Sequence, residues 1–239
     1  MNEEMSKKLT FAFAMLAMFF AINSAKADNV IYIDQTGSSA SININQDGSG
    51  NRVGSSSSDS VSDGSSTTMD IDQVGSSNTL DYDITGSSAN YTSNVSGNSN
   101  SVTTNVGTTG GSNGGADDVT ITENITGGSN TVTTNVGSTS STTTDDVTVT
   151  TDITGDSNTV TVTENSTASS VTDKTTDIDI TGDSNTVTAS KSGAAQHDTT
   201  INHTGGSSTL SVTQSGAEAS TVNVTTNGSN STVTITVAD

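Results

Sequence analysis

Apolar and polar residues alternate in short runs from residue 30 onward, and clusters of Gly, Ser and Asn separate the runs. Within residues 80–84, 119–125 and 147–153, most large apolar side chains occupy every second position. A period of two that is rich in β-branched residues predicts strands of about five to seven residues, each with one buried face. No helical period is visible beyond the first 27 residues, so the pattern predicts an all-β chain.

Turn signals between these runs repeat along the chain, which is typical of stacked architectures. A Gly followed by a small or acidic residue, Ser and then Asn or another small residue begins each unit, at Gly37, Gly75, Gly97, Gly127, Gly155, Gly182, Gly205 and Gly228. A second turn follows 10 or 11 residues later in each unit but the last, at Gly48, Gly86, Gly107, Gly137, Asn165, Gly193 and Gly216. The undistorted repeat is 22 or 23 residues long.

Two short strands and two turns per unit predict a β-solenoid, or a stack of β-arches, with about eight two-strand rungs. Each rung adds about 4.8 Å to the stack. A single rung cannot bury its inner face, but stacked neighbours can. This explains how a chain with few large aliphatic residues can fold, although its composition alone is typical of disordered segments.

The length of the repeat varies in only one of its two segments. The segment from first to second turn keeps its length, whereas the return segment varies and is rich in Ser, Gly, Thr and Asp. We therefore expect one repeat domain over residues 28–239, with loop insertions at one corner at 54–67, 108–118, 138–146 and 166–176.

Residues 1–27 have the layout of a secretory signal peptide. Lys7 and Lys8 precede an apolar run over residues 9–22, and Ala25, Lys26 and Ala27 form a small-x-small cleavage site. A membrane anchor is the alternative, but this run is too short to span about 30 Å of hydrocarbon. The rest of the chain contains no segment apolar enough to cross a bilayer, so we expect a secreted protein.

The charge and the residue types that are missing exclude several classes of function. The net charge is −20, and beyond residue 27 three basic residues face 24 acidic ones. Such a surface repels nucleic acid and anionic membranes. The chain has no Cys, so it has neither disulfides nor a thiolate metal site.

Two segments carry a more specific pattern. Residues 46–51 (QDGSGN) fit Q-x-G-x-G-N, and Gln35 precedes Gln46 by 11 positions; residues 73–78 (QVGSSN) and 214–216 (QSG) are partial copies. This pattern resembles the curlin repeat of bacterial curli fibres, in which Gln and Asn side chains form ladders between rungs. The resemblance implies a self-assembly ladder of Gln35, Gln46, Asn51, Gln73, Asn78 and Gln214. In later units Ile84, Ile125, Ile153 and Ile180 replace Gln, so the chain resembles a divergent member.

The resemblance also implies a function. It indicates an extracellular subunit that self-assembles into curli-like cross-β fibres, a functional amyloid, for adhesion or a biofilm matrix on the bacterial surface. The chain itself would be the main partner, with outer-membrane secretion and nucleation machinery as further partners. The proposed mechanism is end-to-end stacking, in which open rung edges satisfy each other's backbone groups.

Three other groups of residues could carry chemistry. Asp117, Asp118, Asp145 and Asp146 occupy equivalent corners and offer oxygen ligands to Ca²⁺, with a solvated acidic loop as the alternative. His197 is expected in a turn and His203 in place of a ladder Ile, rather than as a metal pair. No carboxylate pair or Ser-His-Asp spacing stands out, so we expect no enzyme and no required cofactor.

Two outward-facing patterns suggest interactions with the surroundings. Asp70, Asp72, Asp81 and Asp83 alternate on the outward parity, and stacked carboxylates would repel each other. Short T-x-T runs occur at 131–133, 148–150, 159–163, 186–188 and 232–236. The alternative function is therefore a monomeric secreted β-solenoid that binds ice or polysaccharide through a Thr-rich face.

Overall fold

The computed structural model describes residues 29–37, 39–48, 50–54, 60–75, 77–97, 99–107, 116–127, 129–137, 145–155, 157–165, 174–182, 184–193, 196–216 and 220–238. The strands in chain order are β1 (Val30–Ile31), β2 (Asp34–Thr36), β3 (Ser41–Asp47), β4 (Arg52–Val53), β5 (Ser60–Asp63), β6 (Thr68–Val74), β7 (Thr79–Ser87), β8 (Asn90–Ser96), β9 (Ser101–Val106), β10 (Ala116–Thr126), β11 (Thr131–Val136), β12 (Asp145–Thr154), β13 (Thr159–Asn165), β14 (Lys174–Thr181), β15 (Ser184–Ser192), β16 (His197–Thr204), β17 (Ser207–Ser215), β18 (Thr221–Asn227) and β19 (Ser231–Ala238). None of these residues belongs to a helix that could span a membrane.

The strands form two parallel sheets, because each strand pairs in register with the strand one coil further along the chain. Sheet A contains β1, β2, β4, β5 and the odd-numbered strands from β7 to β19. Sheet B contains β3, β6 and the even-numbered strands from β8 to β18. The predicted all-β solenoid is thereby confirmed.

The number of regular coils differs slightly from the predicted eight. Strands β7 to β18 form six coils in which each sheet receives one uninterrupted strand. In the two coils before them, the sheet A strand is divided, into β1 and β2 and then into β4 and β5. Strand β19 adds a final sheet A rung, so the described part of sheet A extends one rung beyond sheet B.

The alternation predicted from the sequence determines which side chains enter the core. In β9 and β11, every second residue is buried, and β10 and β12 repeat this pattern from the opposite sheet. Inward Val, Ile and Leu residues of both sheets form one continuous core. Each inward residue also stacks on its counterpart in the next coil, which closes the core with short side chains.

One corner, where the chain passes from sheet B to sheet A, is a column of glycines. It runs through Gly48, Gly75, Gly97, Gly127, Gly155, Gly182, Gly205 and Gly228. A Cβ placed on Gly127 would lie 1.6 Å from the carbonyl oxygen of Gly97. The corner therefore needs glycine because the backbones of successive coils are in contact. At Gly127 this contact, rather than a positive φ angle, excludes a side chain.

The predicted assignment of Gly37 and Gly48 was wrong. Gly37 belongs to the opposite corner, where it stacks with Gly64 and Gly86, while Gly48 begins the column of Gly75. The reason is that residues 48–75 contain a complete coil, including the divided rung β4–β5. The glycine spacing concealed that extra strand pair.

The long connections join sheet A to sheet B, at the corner opposite the glycine column. The expected insertion 54–67 contains β5, a correction, because residues 60–63 pair with β2 and β7. Residues 116–118, 145–146 and 174–176, also expected in insertions, begin strands β10, β12 and β14. The segments 55–59, 108–115, 138–144 and 166–173, like residues 1–27, where a signal peptide is expected, lie outside the described residues.

We expect Gly127→Ala to destabilise the solenoid by at least about 3 kcal/mol, because the new methyl group cannot fit against the Gly97 carbonyl. Ser129→Ala is the matched control, since Ser129 lies in the same turn and is exposed. Denaturant unfolding followed by circular dichroism measures both. Similar midpoints for the two variants would contradict close stacking at this corner.

Candidate functional site

A ladder of buried asparagines lines the glycine corner. Asn100 donates a hydrogen bond to Asn130 Oδ1, and Asn130 donates one to Asn158 Oδ1, both at 3.0 Å. Asn51 and Asn78 instead donate to backbone carbonyls of the following coil, at 2.8 and 3.0 Å. Each of the five is almost fully buried. The side-chain amides therefore join coil to coil where the backbone turns.

The sequence prediction named only the first two of these asparagines. Asn100, Asn130 and Asn158 were missed, although each follows a turn glycine by three residues, as Asn51 and Asn78 do. That repeated spacing was the available signal. The Gln residue before the turn changes along the chain, whereas the Asn residue after it is present in all five of these turns.

The predicted glutamines separate into two columns. Gln73 donates a hydrogen bond to Gln46 Oε1 at 2.8 Å inside sheet B, and both side chains are buried. Gln35 and Gln214 lie in sheet A, near opposite ends of the solenoid. Of the four predicted glutamines, Gln46 and Gln73 are therefore hydrogen-bonded to each other, and this bond lies within one chain.

Both glutamine columns continue with other residue types. Beyond Gln73, the sheet B column contains Val95, Ile125, Ile153, Ile180 and His203. The sheet A column that ends at Gln214 contains Ile84, Val106, Val136, Glu164 and Lys191. The replacement of amides by apolar residues thus occurs in both sheets, and in sheet A it is followed by two charged residues.

Glu123 is a completely buried carboxylate on the inner face of β10. Three threonine hydroxyls donate to it: Thr104 at 2.7 Å, Thr151 at 2.9 Å and Thr134 at 3.1 Å. Burial raises the pKa of Glu123, and these hydrogen bonds only partly oppose the effect. The alternation predicted over residues 119–125 places Glu123 on the inward side, but the threonines come from three other strands.

A second buried cluster surrounds Glu164 in β13. Lys191 Nζ lies 3.1 Å from Glu164 Oε2, His197 Nδ1 lies 3.7 Å from the same oxygen, and the Thr176 hydroxyl donates to the other carboxylate oxygen. Lys191 also donates to the carbonyl oxygen of Asp198 at 2.8 Å. Burial alone would raise the pKa of Glu164, but the Lys191 charge and these hydrogen bonds hold it below its usual value.

The Glu164–Lys191 pair is a direct consequence of stacking. The two residues occupy the same position in consecutive rungs of sheet A, so the ion pair runs along the solenoid axis. This pair was not predicted from the sequence. Aligning the two units on their first turn glycines would have matched them, because Glu164 follows Gly155 and Lys191 follows Gly182 by the same number of residues.

The two histidines are buried in the core rather than arranged as a metal pair. His197 begins β16 instead of occupying the expected turn, a correction that follows from its pairing with Lys174. His203 pairs with Ile180 and its Nε2 contacts the Ser208 hydroxyl. Six residues of extended chain separate the histidines by about 20 Å.

Three of the four candidate calcium ligands converge at the long-connection corner. Oxygens of Asp117, Asp118 and Asp146 lie within 4.8 Å of one another, and all three side chains are exposed. The side chain of Asp145 lies outside the described part of the structure. Ca²⁺ prefers about six to eight oxygen ligands, so water would have to complete a shell that these three carboxylates begin.

The outward carboxylates are mostly separated by amides. Asn94 donates to Asp72 Oδ1 at 2.7 Å, and Asn105 donates to Asp83 Oδ1 at 2.8 Å. The expected repulsion between stacked carboxylates arises instead at Asp152 and Asp179, which stand in register on sheet B. Partial burial and the Asp179 charge raise the pKa of Asp152.

The T-x-T runs divide between the two sheets. Thr148 and Thr150 lie on the outer face of sheet B. The runs at 131–133, 159–163, 186–188 and 232–236 lie on the outer face of sheet A, in register from rung to rung. Sheet A therefore presents a two-dimensional array of hydroxyl groups.

No family model matches the chain, and neither a curated protein nor a solved structure is significantly similar to it.

We expect Lys191→Met to lower the free energy of unfolding by about 3–5 kcal/mol, because Glu164 would keep a buried charge without its cation. The double variant Glu164→Leu/Lys191→Met should recover most of this loss, since it removes both charges. Denaturant titration at neutral pH measures the three proteins. Equal losses in the single and double variants would show that the pair does not stabilise the core through its charges.

Glu123 and Glu164 should have opposite effects on the pH dependence of stability. The raised pKa of Glu123 means that its contribution is complete below its unfolded-state pKa and is lost as pH rises through the folded-state value. The lowered pKa of Glu164 means that its contribution is present above the unfolded-state pKa and is lost as pH falls through the folded-state value.

We therefore expect Glu123→Gln to exceed the wild type in stability at pH 8 and to lose this advantage at pH 5. Glu164→Gln, a substitution of the same kind in the same core, should be less stable than the wild type at pH 8, with a smaller difference in acid. Unfolding free energies across this pH range provide the measurement. The same pH trend in both variants would refute the assignment of opposite pKa directions.

Proposed function

We propose that this chain is a secreted structural subunit that stacks end to end into curli-like cross-β fibres for adhesion or a biofilm matrix. The proposal includes the leader over residues 1–27 and an extracellular location on a bacterial surface. Its support is the parallel β-solenoid, whose strands already have the orientation and spacing of a cross-β stack.

The observation that carries the proposal is the open rung at β19. Val233, Ile235 and Val237 are 41%, 47% and 53% exposed. They occupy the inward columns, where their counterparts Leu210 and Val212 are fully buried. The core thus reaches the end of the described solenoid with its apolar cross-section uncovered.

The first coils, at the other end of the described solenoid, also carry apolar side chains. Ile31, Ile33 and Ile42 are partly buried against the core on the first rungs, and the strand edges there carry backbone donors and acceptors. A contact between two different ends of the same molecule is heterologous, and it propagates into a filament when it does not close into a ring. Because sheet A has one more rung than sheet B, the contact surface is not flat: the edge of β19 lies one rung beyond the edge of β18.

The curlin resemblance supports the same function. The hydrogen bond between Gln46 and Gln73 has the ladder geometry that the resemblance implies, and the asparagine ladder extends that arrangement over further coils. Because the amide column of sheet B gives way to Ile, backbone pairing and apolar contact would contribute most of the energy of stacking. Secretion and nucleation machinery of the outer membrane remain proposed partners.

We expect Ile235→Lys to slow or abolish filament growth while the solenoid stays folded, because the charge would be placed in an end-to-end contact. Thr225→Lys is the matched control, since Thr225 is exposed on the neighbouring strand β18 but faces outward. Electron microscopy and fibre diffraction of the incubated proteins provide the measurement. Wild-type protein should give filaments with a meridional spacing of about 4.7 Å.

Circular dichroism of each variant verifies that the solenoid is folded. Equal filament growth by Ile235→Lys and Thr225→Lys would exclude β19 as the stacking surface. A wild-type protein that stays monomeric at high concentration, with and without Ca²⁺, would overturn the fibre function.

A further inference from the structure

The outer face of sheet A carries no charge over most of its length. On β9, β11, β13, β15, β17 and β19, every outward position holds Thr, Ser, Asn or Ala. We refer to these outward positions as the hydroxyl face. The outer face of sheet B, in contrast, carries carboxylates at Asp70, Asp72, Asp152, Asp177, Asp179 and Asp198.

This separation of charge restricts how two copies can approach side by side. The chain has a net charge of −20, so two copies repel each other through most of their surface. Contact through sheet B would also bring Asp152 and Asp177 toward a partner, and the pKa values of both are already raised by burial and by neighbouring carboxylates. The hydroxyl face avoids this repulsion.

The hydroxyl face is also regular and large enough for a specific contact. Its residues stand in register in successive rungs, as in the column Thr103, Thr133, Thr161 and Thr188. Six rungs of six-residue strands cover about 20 Å by 29 Å, or about 1,200 Å² for two partners, which reaches the lower limit of specific interfaces. Rows of small side chains can interdigitate when two such sheets meet.

We propose that two copies of this chain pair face to face through the hydroxyl face of sheet A. The partner is a second copy because its face is equally neutral and has the same rung spacing. Sheet B and its carboxylates then face outward on both sides of the pair, where they oppose further lateral association. This pairing goes beyond end-to-end stacking, since it uses a sheet surface rather than an open rung.

Single cysteines test the pairing cleanly, because the chain contains no other Cys. Thr161 lies near the centre of the hydroxyl face, so a two-fold contact brings it within about one rung of its copy. Thr150 is the matched control: it is equally half-buried and outward-facing, but on sheet B. Each variant is incubated with a short bismaleimide, and covalent dimers are quantified on a denaturing gel.

We expect Thr161→Cys to form dimers at least about tenfold faster than Thr150→Cys, because pairing raises the effective thiol concentration. Adding Thr133→Asp to Thr161→Cys should remove most of the dimer, since it places facing carboxylates in the interface. Equal rates for the two cysteine variants would overturn the proposal. A second result would also overturn the proposal: Thr161→Cys would stay monomeric, and Thr161→Lys would abolish the binding of the protein to a neutral glucan or its inhibition of ice recrystallisation.

The same samples separate this proposal from the fibre function. Filaments seen by electron microscopy without cross-linking at Thr161 would uphold end-to-end stacking and refute the pairing. Cross-linked dimers without filaments would uphold the pairing and refute the proposed fibre function.

Discussion

In-register stacking of successive coils is the constraint on which the rest of this structure depends. Because each coil lies about 4.8 Å from the next, residues of the paired strands contact their counterparts one coil away. The glycine column exists because backbones meet at that distance, and a single Cβ would collide with a carbonyl oxygen. The asparagine ladder uses the same spacing, since one amide spans the gap to the next.

Stacking also determines which polar groups the core can hold. Glu164 is tolerated because Lys191 stands directly on it, and Glu123 because threonine hydroxyls surround it from both sheets. The two carboxyl groups share a core but have pKa values shifted in opposite directions, since one has a cation within reach and the other has only neutral donors. Burial is common to both, so the partner decides the direction of the pKa shift.

The described surfaces divide into regions of different polarity and charge. Within the described residues, the last rung exposes apolar side chains and pairs along one edge only. The outer face of sheet B is acidic, whereas that of sheet A is neutral from β9 to β19. The proposed end-to-end stacking relies on the first feature and the proposed side-by-side pairing on the second. Both proposals are compatible with a strongly acidic chain, because the exposed carboxylates of the described residues lie mainly on sheet B, on the first coils of sheet A and at the long-connection corner.

The sequence by itself determined the local structure. The period of two predicted the strands and their buried sides, and the repeated glycines predicted the solenoid, because both signals arise from neighbours within one coil. Coil-to-coil register was decided only by the tertiary structure, since connections of unequal length hide which residues stack. For that reason the divided rung β4–β5, the exchange of Gly37 and Gly48 between corners and the collection of threonines on sheet A were not readable from the sequence.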